Sequence, residues 1–258
     1  MIGKEFQELV DIMAKLRGSD GCPWDREQTH DSLKPYLLEE AYEVLESLDH
    51  ENMEGLEEEL GDLLLQTIFH AQIADEEKRF SIFNVLKTLK EKLIRRHPHV
   101  FGDAVINTAS EQKIHWENLK KKEGKTSVID GVPRNLPSLL RAHRIQQKAA
   151  TVGFDWEKVA QVWDKVDEEM LELKSAIKSG KQELVKEEFG DLLFALVNLS
   201  RFLHINPEDS LRQAIEKFIH RFHQLEKRYE SEEKKMRDST LKEMDHYWNK
   251  IKDEESRS

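Results

Sequence analysis

The chain has 258 residues, with 40 Lys and Arg against 51 Asp and Glu and a formal net charge of -11. That acidity weighs against binding a phosphate backbone, so nucleic acid is not an expected partner, although a nucleotide stays open if divalent metal neutralises its phosphates. Charged residues make up 35%, nothing reads as a membrane span or secretory signal, and Cys22 is the one cysteine, so a cytoplasmic chain with no membrane partner and no internal disulfide is expected.

Apolar residues recur at intervals of three and four over 4–17, 33–49, 56–74 and 82–95, which predicts four amphipathic helices. From Glu123 to Pro137 the chain holds two Gly and two Pro and loses the helical period, which predicts a linker. The period resumes over 158–178, 182–204, 209–229 and 240–252. Convincing β alternation is absent. The expectation is an all-α protein with an N-terminal domain over 1–123, a linker over 124–137 and a C-terminal domain over 138–258.

An acidic pattern occurs twice. Glu39, Glu40 and Glu43 are followed by Glu59 and Asp62; Glu168, Glu169 and Glu172 are followed by Glu188 and Asp191, each 129 positions after its counterpart. The fixed offset implies an internal duplication. Lys92 and Arg96 pair with Lys217 and Arg221, and Trp116 and Lys120 with Trp248 and Lys252, at slightly different offsets. Residues three or four apart share a helix face, so Glu40 and Glu43 project together, as do Glu59 and Asp62. A turn through the polar stretch Leu48–Gly55 folds their helices antiparallel, and four carboxylates converge.

One acidic pair alone marks a solvated helix face. Two observations argue otherwise. The pattern recurs, and Asp62 and Asp191 sit among Leu, Ile, Phe and Val, which predicts largely buried carboxylates. A buried, unpaired carboxylate costs on the order of several kcal/mol, so a cation is expected there. Hard cations such as Mg²⁺ want this density of oxygen ligands. The expected ligands are Glu40, Glu43, Glu59 and Asp62 in the first copy, and Glu169, Glu172, Glu188 and Asp191 in the second, with Mn²⁺ as a substitute metal. Gly61 and Gly190 precede the aspartates; mid-helix glycine costs roughly 1 kcal/mol against alanine, and close approach of a neighbouring helix is a reason to accept it.

Phosphates need cations beyond the metal. Lys92 with Arg95 and Arg96, and Lys217 with Arg221, are the candidates, against the plain reading of a solvated basic face. Trp116 and Trp248 either stack on a base or fill a core, and both readings stand. Cys22-Pro23-Trp24-Asp25 reads as a turn anchored by its tryptophan. His97 and His99 alone are weak evidence for zinc.

These residues resemble the MazG-type nucleoside triphosphate pyrophosphohydrolases. The doubled Glu-Glu-x-x-Glu and Glu-x-x-Asp pattern carries the likeness, joined by Gly21-Cys-Pro-Trp-Asp-Arg-Glu-Gln-Thr-His30, Arg95-Arg-His-Pro-His-Val-Phe-Gly102 and Val152-Gly-Phe-Asp-Trp156. The resemblance implies tandem helical-bundle domains, a homodimer, and Mg²⁺-dependent hydrolysis of nucleoside triphosphates to monophosphate and pyrophosphate. It also implies broad base preference and removal of aberrant nucleotides. By position it makes Glu169, Glu172, Glu188 and Asp191 the metal ligands of the main catalytic domain, with Lys165, Glu168, Lys217, Arg221 and Trp248 lining its nucleotide site. Lys252 joins that set, and Lys92, Arg96, Trp116 and Lys120 are the first-copy counterparts. Glu168 and Glu39 are the candidates to orient or deprotonate the attacking water. Two other readings compete: a di-iron bundle built on Glu27-x-x-His30 and Glu243-x-x-His246, and an acidic helical scaffold without catalysis.

Overall fold

The computed structural model describes residues 1–104, 106, 108, 111–112 and 127–256. Trp116 and Lys120 lie outside them. Regular structure among the described residues is helical, and no strand occurs there. The chain divides into two compact units, 1–107 and 108–258.

In the first unit α1 spans Ile2–Arg17, α2 Pro23–Glu27, α3 Lys34–Asp49, α4 Met53–Glu76, α5 Ile82–Arg96 and α6 Pro98–Phe101. Met13, Leu33, Ile68, Phe69 and Ile73 form its core, where each fully buried large side chain contributes about 1.5–3 kcal/mol. α3 and α4 form an antiparallel hairpin. Asn52 caps α4, its Oδ1 accepting from Gly55 N at 3.1 Å. Glu51 sits in the turn at φ 52, the left-handed region that a side chain other than glycine's resists. α1 runs along α4, and Arg17 donates to Glu76 at 2.8 Å.

In the second unit α7 spans Ser138–Ala150, α8 Val159–Ser179, α9 Gln182–Phe202, α10 Pro207–Ser231 and α11 Leu241–Glu255, with a 3₁₀ turn at Met236–Asp238. The α8–α9 hairpin encloses Val162, Val166, Leu173, Leu192, Ala195 and Leu199. Its turn is tight because Gly180 takes φ 68 immediately after α8. Leu225, Tyr229 and Ile251 make a separate small core between α10 and α11. α7 packs on both α9 and α10.

The long helices follow the periodic segments. α7 is an addition: the sequence reading placed nothing regular over 138–150. The turn expected at Cys22–Asp25 is the start of the short helix α2, with Trp24 set edge-to-face against Tyr36 at 5.9 Å. Two packing expectations fail within the chain. Asp191 is exposed and Asp62 only half-buried, because Phe189, Leu193 and Phe194 stand in solvent around the one and Leu60, Leu64 and Leu65 around the other. A Cβ built on Gly61 or Gly190 meets nothing within 4 Å, so among the described residues no neighbouring helix explains either glycine.

Candidate metal and nucleotide site

The second acidic cluster is built by the α8–α9 hairpin. Glu169 and Glu172, one turn apart on α8, face Glu188 on α9 across the Gly180 turn. Each of the three offers a carboxylate oxygen, and these oxygens lie within 4.8 Å of one another. The first cluster repeats this on α3 and α4 with Glu40, Glu43 and Glu59. Asp191 and Asp62 fall outside those mutual distances but one helical turn beyond Glu188 and Glu59. Burial first, then Glu172, Glu169, Asp191 and Glu187, push the Glu188 carboxyl above its usual range. Burial first, then Asp62 and Glu43, do the same to Glu40. Glu59 is raised by burial and by Glu43, Glu58, Asp62 and Glu46. Three oxygens this close, in carboxyls raised by burial and by one another, are a donor set that suits a hard divalent cation.

The clusters differ in one partner. Lys165 Nζ donates to Glu169 at 2.7 Å and to Glu168 at 2.9 Å. Those two hydrogen bonds hold the Lys165 ammonium well above its ordinary pKa. Glu169 is 6% exposed, so the lysine compensates a carboxylate taken from water. The position 129 residues earlier is Tyr36. In the first copy Glu40 receives a long bond of 3.4 Å from Gln66 Nε2, and Glu39 is exposed.

The basic candidates lie on other helices. Lys217 is exposed on α10, and Arg221 on the same helix donates to Glu255 of α11 at 2.8 Å. Trp248 stacks obliquely on Phe218, ring centres 5.2 Å apart, at the edge of the α10–α11 core, and Lys252 is exposed one turn on. Lys92 and Arg96 lie on α5 of the first unit, both half-buried. The charges that bear most on Glu188 are carboxylates, and neither Lys217 nor Arg221 is among them.

The competing metal readings find no cluster of three ligands among the described residues. His30 faces His70, Nδ1 to Nδ1 at 2.8 Å, and Glu243 accepts from Thr240 N at 2.8 Å, closing the capping box in which Thr240 is the N-cap of α11. His97 and His99 gather no third ligand; the two glutamate sets are the groups of three or more candidate ligands among the described residues.

A cleft of about 510 Å³ opens beside the second cluster. Lys165, Glu169 and Asp191 line it, together with Phe154, Trp156, Asn198 and Arg201. The sequence reading gave none of these last four a role. The signal was Gly153-Phe154-Asp155-Trp156, two aromatics just after a glycine. Gly153 takes φ 85 past the end of α7, and the Asp155 carboxylate binds the Arg201 guanidinium of α9, which ties the loop over the cleft.

The MazG nucleotide pyrophosphohydrolase domain matches twice, over residues 28–101 and 157–225, once in each unit. The chain is 49% identical over 250 residues to the Thermotoga maritima protein named nucleoside triphosphate pyrophosphohydrolase/pyrophosphatase MazG, covering 96% of this chain and 95% of that one. It is 42% identical to the nucleoside triphosphate pyrophosphohydrolase of Escherichia coli K12, covering 97% and 98%. A third relative, the uncharacterized protein YabN of Bacillus subtilis, is 46% identical across 98% of this chain but only 53% of its own length. With a family match in both halves and relatives of this identity along nearly all of it, the chain belongs to the MazG nucleotide pyrophosphohydrolase family.

Proposed function

We propose that the chain hydrolyses nucleoside triphosphates between the α- and β-phosphates, releasing monophosphate and pyrophosphate, with the second acidic cluster as its main site. The observation that carries this reading is the gathering of Glu169, Glu172 and Glu188 within 4.8 Å, with Asp191 a turn away and Lys165 holding Glu169 in place. These four acids would hold Mg²⁺, or Mn²⁺ in its stead. A bound divalent ion supplies charge neutralisation at phosphate oxygens and a lowered pKa for a bound water. Lys165 fixes Glu169 and Glu168 together. Glu168 gives one oxygen to that lysine, and its other oxygen would orient or deprotonate the attacking water.

Lys217 and Arg221 neutralise the departing pyrophosphate, with Trp248 and Lys252 flanking them. They reach the acids through a homodimer in this proposal. Leu211, Ile215, Phe218 and Phe222 form one exposed apolar stripe along α10, while Phe189 and Leu193 leave α9 bare beside the cluster. A second copy covering these faces would bring a cationic helix to a carboxylate hairpin. Base preference is proposed to be broad and the role to be disposal of aberrant nucleotides, as the family resemblance suggests. In the described residues no helix is long and apolar enough to cross a membrane.

The test is product analysis. With ATP and Mg²⁺, AMP and pyrophosphate should appear in equal amounts, and chelation by EDTA should stop the reaction. ADP with inorganic phosphate would place the cut elsewhere, and turnover unaffected by EDTA would remove the metal from the account.

A further inference from the structure

We infer that Asp155 and Arg201 are positioning residues for the second acidic cluster: their ion pair fastens the open end of the α8–α9 hairpin and so fixes the gap across which Glu188 faces Glu169 and Glu172. This rests on that cluster being the metal site. The Gly180 turn closes one end of the hairpin. At the other end α9 finishes at Phe202 and the chain enters α8 from the Gly153–Trp156 loop. Arg201 lies in the last turn of α9 and Asp155 four residues before α8 begins, so their bond bridges that end. It is two-pronged, Arg201 Nη1 donating to Asp155 Oδ2 at 2.8 Å and Nη2 to Oδ1. Such a planar fork fixes direction as well as distance. Asn198 Oδ1 accepts from Arg201 Nε at 3.1 Å and Nη2 at 2.9 Å, and the guanidinium lies 4.7 Å from the centre of the Phe202 ring. The two charged side chains are only 15% and 27% exposed, so solvent and salt screen them weakly.

The first unit fastens its own hairpin at the same end with different residues. Arg17, closing α1, donates from Nε and Nη2 to Glu76, the last residue of α4, at 3.0 Å and 2.8 Å. Its Nη1 donates to Gln28 O at 3.2 Å and to Asp25 O, in the stretch that leads into α3. The Arg17 side chain is 6% exposed, and its bonds hold the Glu76 carboxyl below the usual range. The polarity is reversed: here the acid is on the hairpin and the arginine ahead of it. Nor do the positions match, since Ile205 stands 129 residues after Glu76 and Gln72 stands 129 before Arg201. Two unrelated ion pairs at one place in a duplicated hairpin argue that the open end has to be held. Arg201 is ten residues beyond Asp191 on α9, roughly 15 Å along the helix. The pair therefore acts on the acids through the helices, whose packed core of Val162, Leu192, Ala195 and Leu199 transmits a shift.

The test is Mn²⁺ binding without nucleotide, read by electron paramagnetic resonance in a Glu43→Ala background that sets the first cluster aside. Asp155→Asn keeps the side chain's shape and leaves Arg201 on Asn198, so the fold should stand, and circular dichroism verifies the helix content. Mn²⁺ should bind about 10-fold more weakly, the lower end of what losing a residue outside a ligand set costs. With Mn²⁺ saturating, KM for ATP should stay near that of the parent. Arg201→Asp alone should weaken Mn²⁺ at least as much. Joining it to Asp155→Arg, the polarity of the first unit, should restore most of the loss. Unchanged Mn²⁺ affinity in Asp155→Asn overturns the inference and leaves the metal site standing; a raised KM for ATP beside it would make Asp155 a nucleotide contact instead. A double variant no better than the worse single one overturns it too. Glu172→Ala binding Mn²⁺ like its parent would remove the metal site, and this inference with it.

Discussion

Lys165 and Tyr36 occupy the same place in the two halves, and they leave two similar acid clusters in different states. In the second half an ammonium group holds the buried Glu169 and its neighbour Glu168. In the first, Tyr36 is turned against Trp24 and Glu40 is left with a long bond from a glutamine. The cleft adds to the contrast, because Asn198 faces open space where Phe69 closes a core. A set of acids can thus be copied intact while the groups around it diverge. We take the second copy as the working site for that reason.

Outside the acidic clusters themselves, the largest effect that separates the halves should come from the orienting cation. Lys165→Ala removes a partner outside the ligand set, and such losses cost about 10- to 100-fold in metal affinity or activity. Tyr36→Phe should change neither by a measurable amount. Steady-state kinetics across a Mg²⁺ titration reads both; equal losses would erase the distinction between the halves.

Next in size is the coupling of metal to pH. Raised carboxyls bind protons more tightly folded than unfolded, so without metal stability falls as pH rises from the normal carboxylate range through the raised values of Glu40, Glu59 and Glu188. Mg²⁺ competes with those protons, and its stabilisation should grow over the same rise in pH. Calorimetric scans between pH 4 and 8, in EDTA and in Mg²⁺, should therefore diverge upward. Curves that stay parallel would mean the carboxylates are not metal ligands.

The smallest effect concerns the hairpin turns. Glu51 and Gly180 are counterparts, both left-handed, at φ 52 and φ 68. Glu51→Gly should relieve strain and stabilise the first unit by up to about 1 kcal/mol, while Gly180→Ala costs the second unit a similar amount. Urea midpoints would show it, and a Glu51→Gly chain that unfolds more easily would contradict the strain argument.

How much of this the sequence revealed depends on how local the signal is. The α3–α4 and α8–α9 hairpins were legible because their apolar period and acidic spacing are properties of single helices. The neighbours of Asp191 misled in one respect: Phe189, Leu193 and Phe194 have the pattern of a covered face, and a pattern cannot say which chain does the covering. α7 was missed because Arg141, His143, Arg144, Gln146, Gln147 and Lys148 interrupt its short apolar stripe. With α7 unread, the cleft could not be seen, since Gln146, Trp156 and Asn198 come together only through the packing of α7 on α9.

The most direct test of the central claim is pyrophosphate release measured on two single variants, Glu172→Ala and Glu43→Ala, counterparts in the two clusters. The account predicts that Glu172→Ala lowers the rate by about 100-fold or more, at or beyond the upper end of what losing a residue outside the ligand set costs, while Glu43→Ala keeps most of it. A Glu43→Ala loss as large as that of Glu172→Ala, or larger, would contradict it.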